Sequence, residues 1–332
     1  MRSPRAAAPR YPFPAAPDGW YGLCLASELA RGEVKALSFF GRELVAFRGE
    51  DGGARVFDAH CPHLGAHLGV GGRVEGDGIR CPFHGWRFDG AGCLIEVPRL
   101  ARTPQGVRAR VHPVQERNGF VHVWFHAQGA PPTYDVKDFL GDAAQWLPWR
   151  ANTYQVRVHV QDMTENILDR AHFLQVHDMK PPDVERFEVR FDGPFMVVEQ
   201  LLKVTALSQA GVEVLSVTTN CGPGISVAEV HQGALHMINY ITQTPIDDEM
   251  TDVRLHFTMK RLADEATTRT VAELNDRITQ QQFRQDVPIW EHRAYLEKPR
   301  LTEIDGPVAQ YRRWYRQFYS GWPGAEGAGE GR

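Results

Sequence analysis

"CPHLGAHLGVGGRVEGDGIRCPFHGW", residues 61–86, sets two cysteines and several histidines in a glycine-rich stretch with no helical or strand period long enough to build a core. Cys61 and His63 form C-x-H, Cys81 and His84 form C-x-x-H, and 17 residues separate the pairs. Two thiolates with two imidazoles suit tetrahedral zinc, or a [2Fe–2S] cluster in which two histidines replace two cysteines on one iron. Both pairs run into glycine punctuation, "CPHLG" and "CPFHGW", which reads as two hairpin-like loops. Zinc fingers of this composition place at least one pair on a helix or knuckle. His60 and His67 read as satisfied surface or core residues, and Cys24, Cys93 and Cys221 as small buried hydrophobes. "GVGG" at 69–72 lacks the third glycine and the following helix of a dinucleotide loop, so no nicotinamide site is expected.

Around this stretch lies a chain of 332 residues, 42% hydrophobic and 23% charged, long enough for two domains with real cores. A net charge of −4 supplies no basic field, so neither nucleic acid nor a membrane surface is expected as a partner. No run of 18 apolar residues occurs, and the amino terminus lacks the apolar core of a signal peptide. Five scattered cysteines do not form a secreted disulfide framework, which points to a cytoplasmic protein.

Short alternating runs such as "VKALSFFGRELVAFRG" and "GFVHVWF", broken by Gly, Asp and Pro, give an all-β domain over 19–128. "HAQGAPPTYDVKDFLGDAAQWLP" (126–148) is the crossing to a second domain, 129–320. There a strand "TYQVRVHVQ" precedes a helix from about Met163 to Val176, six strands run from Phe187 to about Arg261, and a long helix spans about Thr270 to Leu296. The fold class is therefore α+β, an N-terminal all-β domain followed by a helix-covered antiparallel sheet. Residues 1–18 and 321–332 read as flexible termini.

Residues 162–178, "DMTENILDRAHFLQVHD", place Glu165, Asp169 and His172 at i, i+4 and i+7 on one helical face, with Asn166 at its edge and His177 just beyond. Acidic, amide and imidazole groups flanked by Ile167, Leu168 and Phe173 are costly to bury unless they bind something, and a metal is the economical explanation. Two imidazoles and one carboxylate form the facial triad of mononuclear non-haem iron. For the carboxylate, Asp286 is bracketed by Phe283, Ile289 and Trp290, whereas Asp276 has Glu273, Thr279 and Gln280 on its face and reads as solvated. Pro288 is expected to kink this helix. Asp286 is the favoured third donor, Glu291 the fallback.

From about Gly19 to Tyr295 the chain resembles the Rieske non-haem iron oxygenases. The resemblance rests on the four cluster residues with the trailing Gly85-Trp86, on E-x3-D-x2-H-x4-H over 165–177, and on "DVPIWE" at 286–291. It implies a Rieske-type [2Fe–2S] cluster on Cys61, His63, Cys81 and His84, and a mononuclear Fe(II) on His172, His177 and Asp286. By the same resemblance Asp169 is not an iron ligand but bridges to a cluster-ligating histidine of a neighbouring subunit in a homotrimer, and Asn166 counts with it among the catalytic residues. Imidazole ligation places the cluster potential at about −150 to +300 mV. "NGFVHVWFHAQGAPP" and "TPIDDEMTDVRLHFTMKR" bring the sequence closest to the steroid-acting branch, the 3-ketosteroid 9α-hydroxylase oxygenase components and cholesterol 7-desaturases. The implied activity is O2-dependent hydroxylation or desaturation of a small apolar, polycyclic, sterol-like substrate. Demethylation of a smaller aromatic or alkaloid is the alternative, and a Rieske electron carrier a third. With no flavin or nicotinamide fingerprint, electrons must come from a separate NAD(P)H-dependent reductase, a ferredoxin, or both.

Overall fold

The computed structural model describes residues 9–169, 171–177, 183–204, 212–302 and 304–323. The outer ends of both expected flexible termini, 1–8 and 324–332, and the side chain of Phe173, lie outside the described residues. The chain divides into two compact units: Asp18–Ala143, and a second that joins the stretch up to Pro17 to Ala144–Arg332.

In the first unit the strands are β1 (Gly19–Leu25), β2 (Val34–Phe39), β3 (Arg42–Arg48), β4 (Ala54–Asp58), β5 (Arg73–Glu75), β6 (Gly78–Arg80), β7 (Arg87–Phe88), β8 (Leu94–Glu96), β9 (Val111–His112), β10 (Val114–Arg117) and β11 (Phe120–Phe125). They form three antiparallel sheets, ordered β1-β11-β10, β2-β3-β4-β9 and β5-β6-β7-β8. β3 buries Leu44, Val45, Ala46 and Phe47 in succession, as a strand covered on both faces does. Val45, Phe47 and Phe57 share one core with Cys61, Leu68, Ile79, Cys81 and Phe88, so the apolar interior reaches the bases of both cysteine loops.

The second unit is built on one antiparallel sheet of β12 (Arg150–Val156), β13 (Asp183–Asp192), β14 (Phe195–Val204), β15 (Val212–Cys221), β16 (Ile225–Gln232), β17 (Leu235–Pro245) and β18 (Thr251–Met259). Its order is β12-β18-β17-β16-β15-β14-β13, a meander in which the first strand returns beside the last. The helices are α1 (Val160–Glu165), α2 (His172–Val176), α3 (Glu265–His292) and α4 (Val308–Tyr315). Phe283 and Trp290 fasten α3 to Val156, Val158, Met163, Val253 and Leu255.

Four expectations need correction. The helix expected over Met163–Val176 is broken: α1 ends at Glu165, a short 3-10 turn covers 166–168, and Asp169 is extended at φ −85°, ψ 107°. Asp169 Oδ1 accepts the amide protons of Ala171 (2.9 Å) and His172 (3.3 Å), so its side chain caps α2 instead of continuing α1. The long helix begins earlier, because Asp264 caps it by accepting from Thr267 N at 2.6 Å, and it runs through Pro288 to His292. The arm before the first strand is not loose over 10–17: Tyr11 and Phe13 are buried against Leu168, Tyr311, Tyr315 and Tyr319, and the Arg10 guanidinium donates to Arg157 O at 2.7 Å. Two aromatic rings give that arm enough apolar surface to dock. Cys93 is half-buried where a fully buried thiol was expected, and all five cysteines are free.

Candidate functional site

The two cysteine loops repeat one construction. Cys61 N donates to Ala66 O at 2.9 Å and Gly65 N to Cys61 O at 2.9 Å; Cys81 N donates to Trp86 O at 2.8 Å and Gly85 N to Cys81 O at 3.2 Å. Gly65 and Gly85 turn each loop at φ +74° and +72°, a region that costs a side chain but not glycine. Arg80 pins the second loop by donating to Gly85 O at 2.6 Å while held by Glu75 and Glu96. The loops bring the His63 and His84 rings to 4.7 Å, edge to face, and His63 stacks on Trp86 at 4.2 Å. Burial, with Cys81 beside it, pushes the Cys61 thiol up to about 11. Two buried sulfurs side by side do not ionise unless cations compensate them, which suits a cluster bound as thiolate. His60 and His67 bridge to each other through the backbone, and their ring nitrogens lie 3.3 and 4.0 Å from Glu43.

In the second unit the interrupted segment and α3 converge. His172, His177 and Asp286 each place a ligand atom within 4.8 Å of the others. His177 Nε2 lies 3.5 Å from Asp286 Oδ1, and the two imidazoles stand at 76° with centroids 5.2 Å apart. Asn166 Nδ2 sits 3.3 Å from His172 Nε2 and 3.5 Å from Asp286 Oδ2, donating into the space between two acceptors as a cation would fill it. Burial pushes the Asp286 carboxyl up to about 6, the His177 ring opposing and Asp169 adding to the shift, and burial pulls His172 below the usual imidazole range. Burial favours the neutral ring that ligates a metal and opposes the carboxylate, and a divalent cation between them would restore the carboxylate while keeping the ring neutral. The donor set fits Fe(II).

The residues around it were partly misjudged from sequence. Glu165, expected on the same face, turns away and is held by Arg312 at 2.6 and 2.8 Å. Ile289, expected to bracket Asp286, is 44% exposed, while Phe283 and Trp290 are buried. Glu291 sits at the Arg157 amide, 3.5 Å away, and Asp276 receives Asn152 and Gln280 at 3.0 and 3.1 Å. Sequence reasoning missed Gln285, whose Oε1 lies 3.0 Å from His177 Nδ1. Its one signal was its place next to Asp286.

The three donors line a cavity of about 210 Å³ whose apolar wall is Met163, Ile167, Ile241, Leu255, Phe283 and Trp290. A larger cavity of about 700 Å³, between Phe13, Tyr295, Arg312 and Trp322, has no histidine or cysteine in its wall, so chemistry and not size selects the smaller one. A second cluster, Glu229, His231 and His236, lies on β16 and β17; its two rings stack at 4.0 Å, and it lines neither cavity.

Residues 19–112 match the Rieske [2Fe-2S] domain, and residues 123–319 match the 3-Ketosteroid 9alpha-hydroxylase C-terminal domain. The chain is 32% identical to a 3-ketosteroid-9-alpha-monooxygenase oxygenase component of Rhodococcus rhodochrous, over 91% of this chain and 83% of the relative. It is 28% identical to cholesterol 7-desaturase nvd 1 of Ciona intestinalis, over 92% and 69%.

The chain belongs to the Rieske non-haem iron oxygenases.

A solved structure of the NdmA QL mutant of Pseudomonas putida CBB5 with theobromine shares the fold at a TM-score of 0.70 and 20% identity, covering 90% of this chain and 89% of that one. As a Rieske oxygenase the chain is an oxidoreductase that takes a [2Fe–2S] cluster in its first unit and a mononuclear iron in its second. Bound there, these groups supply one-electron transfer and the binding and reduction of O2. Such an oxygenase component draws its electrons from a separate reductase or ferredoxin. Among the described residues no helix is long and apolar enough to cross a membrane. The chain's own part in the chemistry is steric and electrostatic. Gln285 Oε1 accepts a hydrogen bond from His177 Nδ1–H, which leaves the Nε2 lone pair on the side of Asp286, and apolar side chains line the cavity beside the donors.

Proposed function

We propose that this Rieske oxygenase hydroxylates or desaturates an apolar, polycyclic, sterol-like substrate, with Cys61, His63, Cys81 and His84 holding the cluster and His172, His177 and Asp286 the iron. The observation that carries this reading is a two-imidazole, one-carboxylate donor set opening on a cavity walled by Met163, Ile167, Ile241, Leu255, Phe283 and Trp290. The match of residues 123–319 to the 3-Ketosteroid 9alpha-hydroxylase C-terminal domain supports a steroid skeleton. Cavity volume favours a second reading: about 210 Å³ is below the roughly 300 Å³ at which pockets for drug-sized ligands begin, which suits demethylation of a smaller aromatic. A panel of steroids and methoxyarenes, turned over with O2, NADH, a reductase and a ferredoxin, decides between them by product mass. Hydroxylated or dehydrogenated steroids support the first reading; release of formaldehyde from the methoxyarenes alone replaces it with the second.

Assembly belongs to the same proposal. Asp169 carries a 41% exposed side chain whose Oδ2 lies 3.9 Å from His172 Nδ1, so the carboxylate faces its own iron histidine while staying open to a neighbour. We assign it the bridge to a cluster histidine of the next subunit in a head-to-tail homotrimer, a heterologous contact that closes as a ring. In this reading the domains expected over 19–128 and 129–320 serve as cluster and iron domains, with the compact units dividing nearer Ala143, and NAD(P)H is the ultimate donor.

A further inference from the structure

Three neighbouring strands put a row of polar side chains on the sheet face that lines the iron cavity. Asn220 on β15 pairs with Ser226 on β16, Ser226 pairs with Ile241 on β17, and Gln243 stands two residues further along the same face. Thr164 on α1 closes the row from above. Thr164, Ser226 and Gln243 line the same cavity as His172, His177 and Asp286, yet each is at most 3% exposed. Their hydrogen bonds run in one direction. Thr164 Oγ1 donates to Gln243 Oε1 at 3.3 Å, Gln243 Nε2 donates to Ser226 Oγ at 3.1 Å, and Ser226 Oγ donates to Asn220 Oδ1. The amide of Gln243 has two N–H groups, and Ser226 takes one.

We propose that the second N–H of Gln243, steadied by Thr164 and Ser226, docks a hydrogen-bond-accepting oxygen of the substrate, a ketone or a hydroxyl on an otherwise apolar skeleton. This deepens the proposed function and rests on it. The apolar wall takes the carbon skeleton, and the polar row fixes which carbon faces the metal donors across one small cavity. A hydrocarbon of the same shape would seal the N–H away from water without a partner. Sites built this way discriminate against the analogue that lacks the oxygen. Because Gln243 spends only one of its two N–H groups within the row, the row presents a donor and selects an acceptor.

The test is equilibrium dialysis with the iron-loaded, cluster-containing enzyme under argon. The ligands are a steroid ketone, its alcohol and the parent steroid hydrocarbon, with an aryl ketone and its parent arene beside them. The ketone and alcohol are expected to bind roughly 10–100-fold more tightly than their hydrocarbon parent. Gln243→Leu is expected to reduce that preference to a few-fold while keeping the affinity for the hydrocarbon. Thr164→Val, which removes the hydroxyl that holds Gln243 Oε1, is expected to lower the preference as well and decides the matter if Gln243→Leu does not fold. Equal binding of ketone and hydrocarbon by the native enzyme, or a preference intact in both variants, overturns the subsite and leaves the proposed function standing. Failure of every steroid and arene to bind overturns the proposed function and takes the subsite with it.

Discussion

Gln285 Oε1 lies 3.0 Å from His177 Nδ1, one residue before Asp286 on α3. One helix therefore supplies both a donor for the metal and the group that sets the tautomer of another donor. Gln285→Leu is expected to weaken iron binding at the second centre by roughly 10–100-fold, the usual cost of losing such a partner. Visible absorption of the cluster should not change. Iron titration of the variant under argon checks this, with Gln285→Glu, which keeps an acceptor in place, recovering most of the loss.

Asp169→Asn keeps the shape that caps α2 but loses the charge. Iron content and a chemically reducible cluster are expected to survive, while product formation falls by orders of magnitude because electron delivery between subunits is cut. A variant that has lost only its mononuclear iron would make Asp169 a ligand, and a fully active monomer would remove the bridge.

Glu165 and Arg312 form a buried pair at 2.6 Å, with side chains 11% and 15% exposed. Arg312→Ala strands the carboxylate and is expected to destabilise the second unit by about 3–5 kcal/mol. Glu165→Gln is expected to retain the full complement of iron. Denaturant unfolding with metal analysis of the folded fraction separates this pairing from a role as ligand.

Stability should fall on the acid side. Burial pulls His159, His236 and His256 down to about 4. Between the unfolded value near 6.5 and that folded value the unfolded chain binds more protons, so the stability contributed by neutral rings is complete above about pH 6.5 and is lost as pH falls through 4. Thermal unfolding from pH 7.5 to 4.5 should show a dropping midpoint. His159→Gln, which cannot titrate, should lessen the slope, and an unchanged slope would exclude this histidine as a cause.

What the sequence disclosed follows the range of the interactions involved. The cysteine loops were legible because donors, prolines and glycines lie within six residues of one another and each loop closes on itself through Cys61 N to Ala66 O and Cys81 N to Trp86 O. His172, His177 and Asp286 were legible because a polar group in an apolar setting needs a reason. The break after Glu165 was not: helical periodicity counts positions, and does not register that Asn166 turns to His172 and Asp286 or that Asp169 caps the next helix. Glu165 was read with the metal because its partner, Arg312, is 147 residues away. Gln285, Gln243 and Ser226 acquire their roles only when α3 and the strands pack; beyond the position of Gln285 next to Asp286, no local pattern marks them.

We propose two different iron centres in one chain, on the residues named. Quantitation of iron and acid-labile sulfide in anaerobically reconstituted protein tests it most directly, with Cys81→Ser and Asp286→Ala alongside. Three irons and two sulfides per chain are expected in the native protein, loss of the sulfide and of visible absorption with one iron retained in Cys81→Ser, and two irons with two sulfides in Asp286→Ala. Zinc without sulfide, or a native protein holding two irons and never a third, would contradict it.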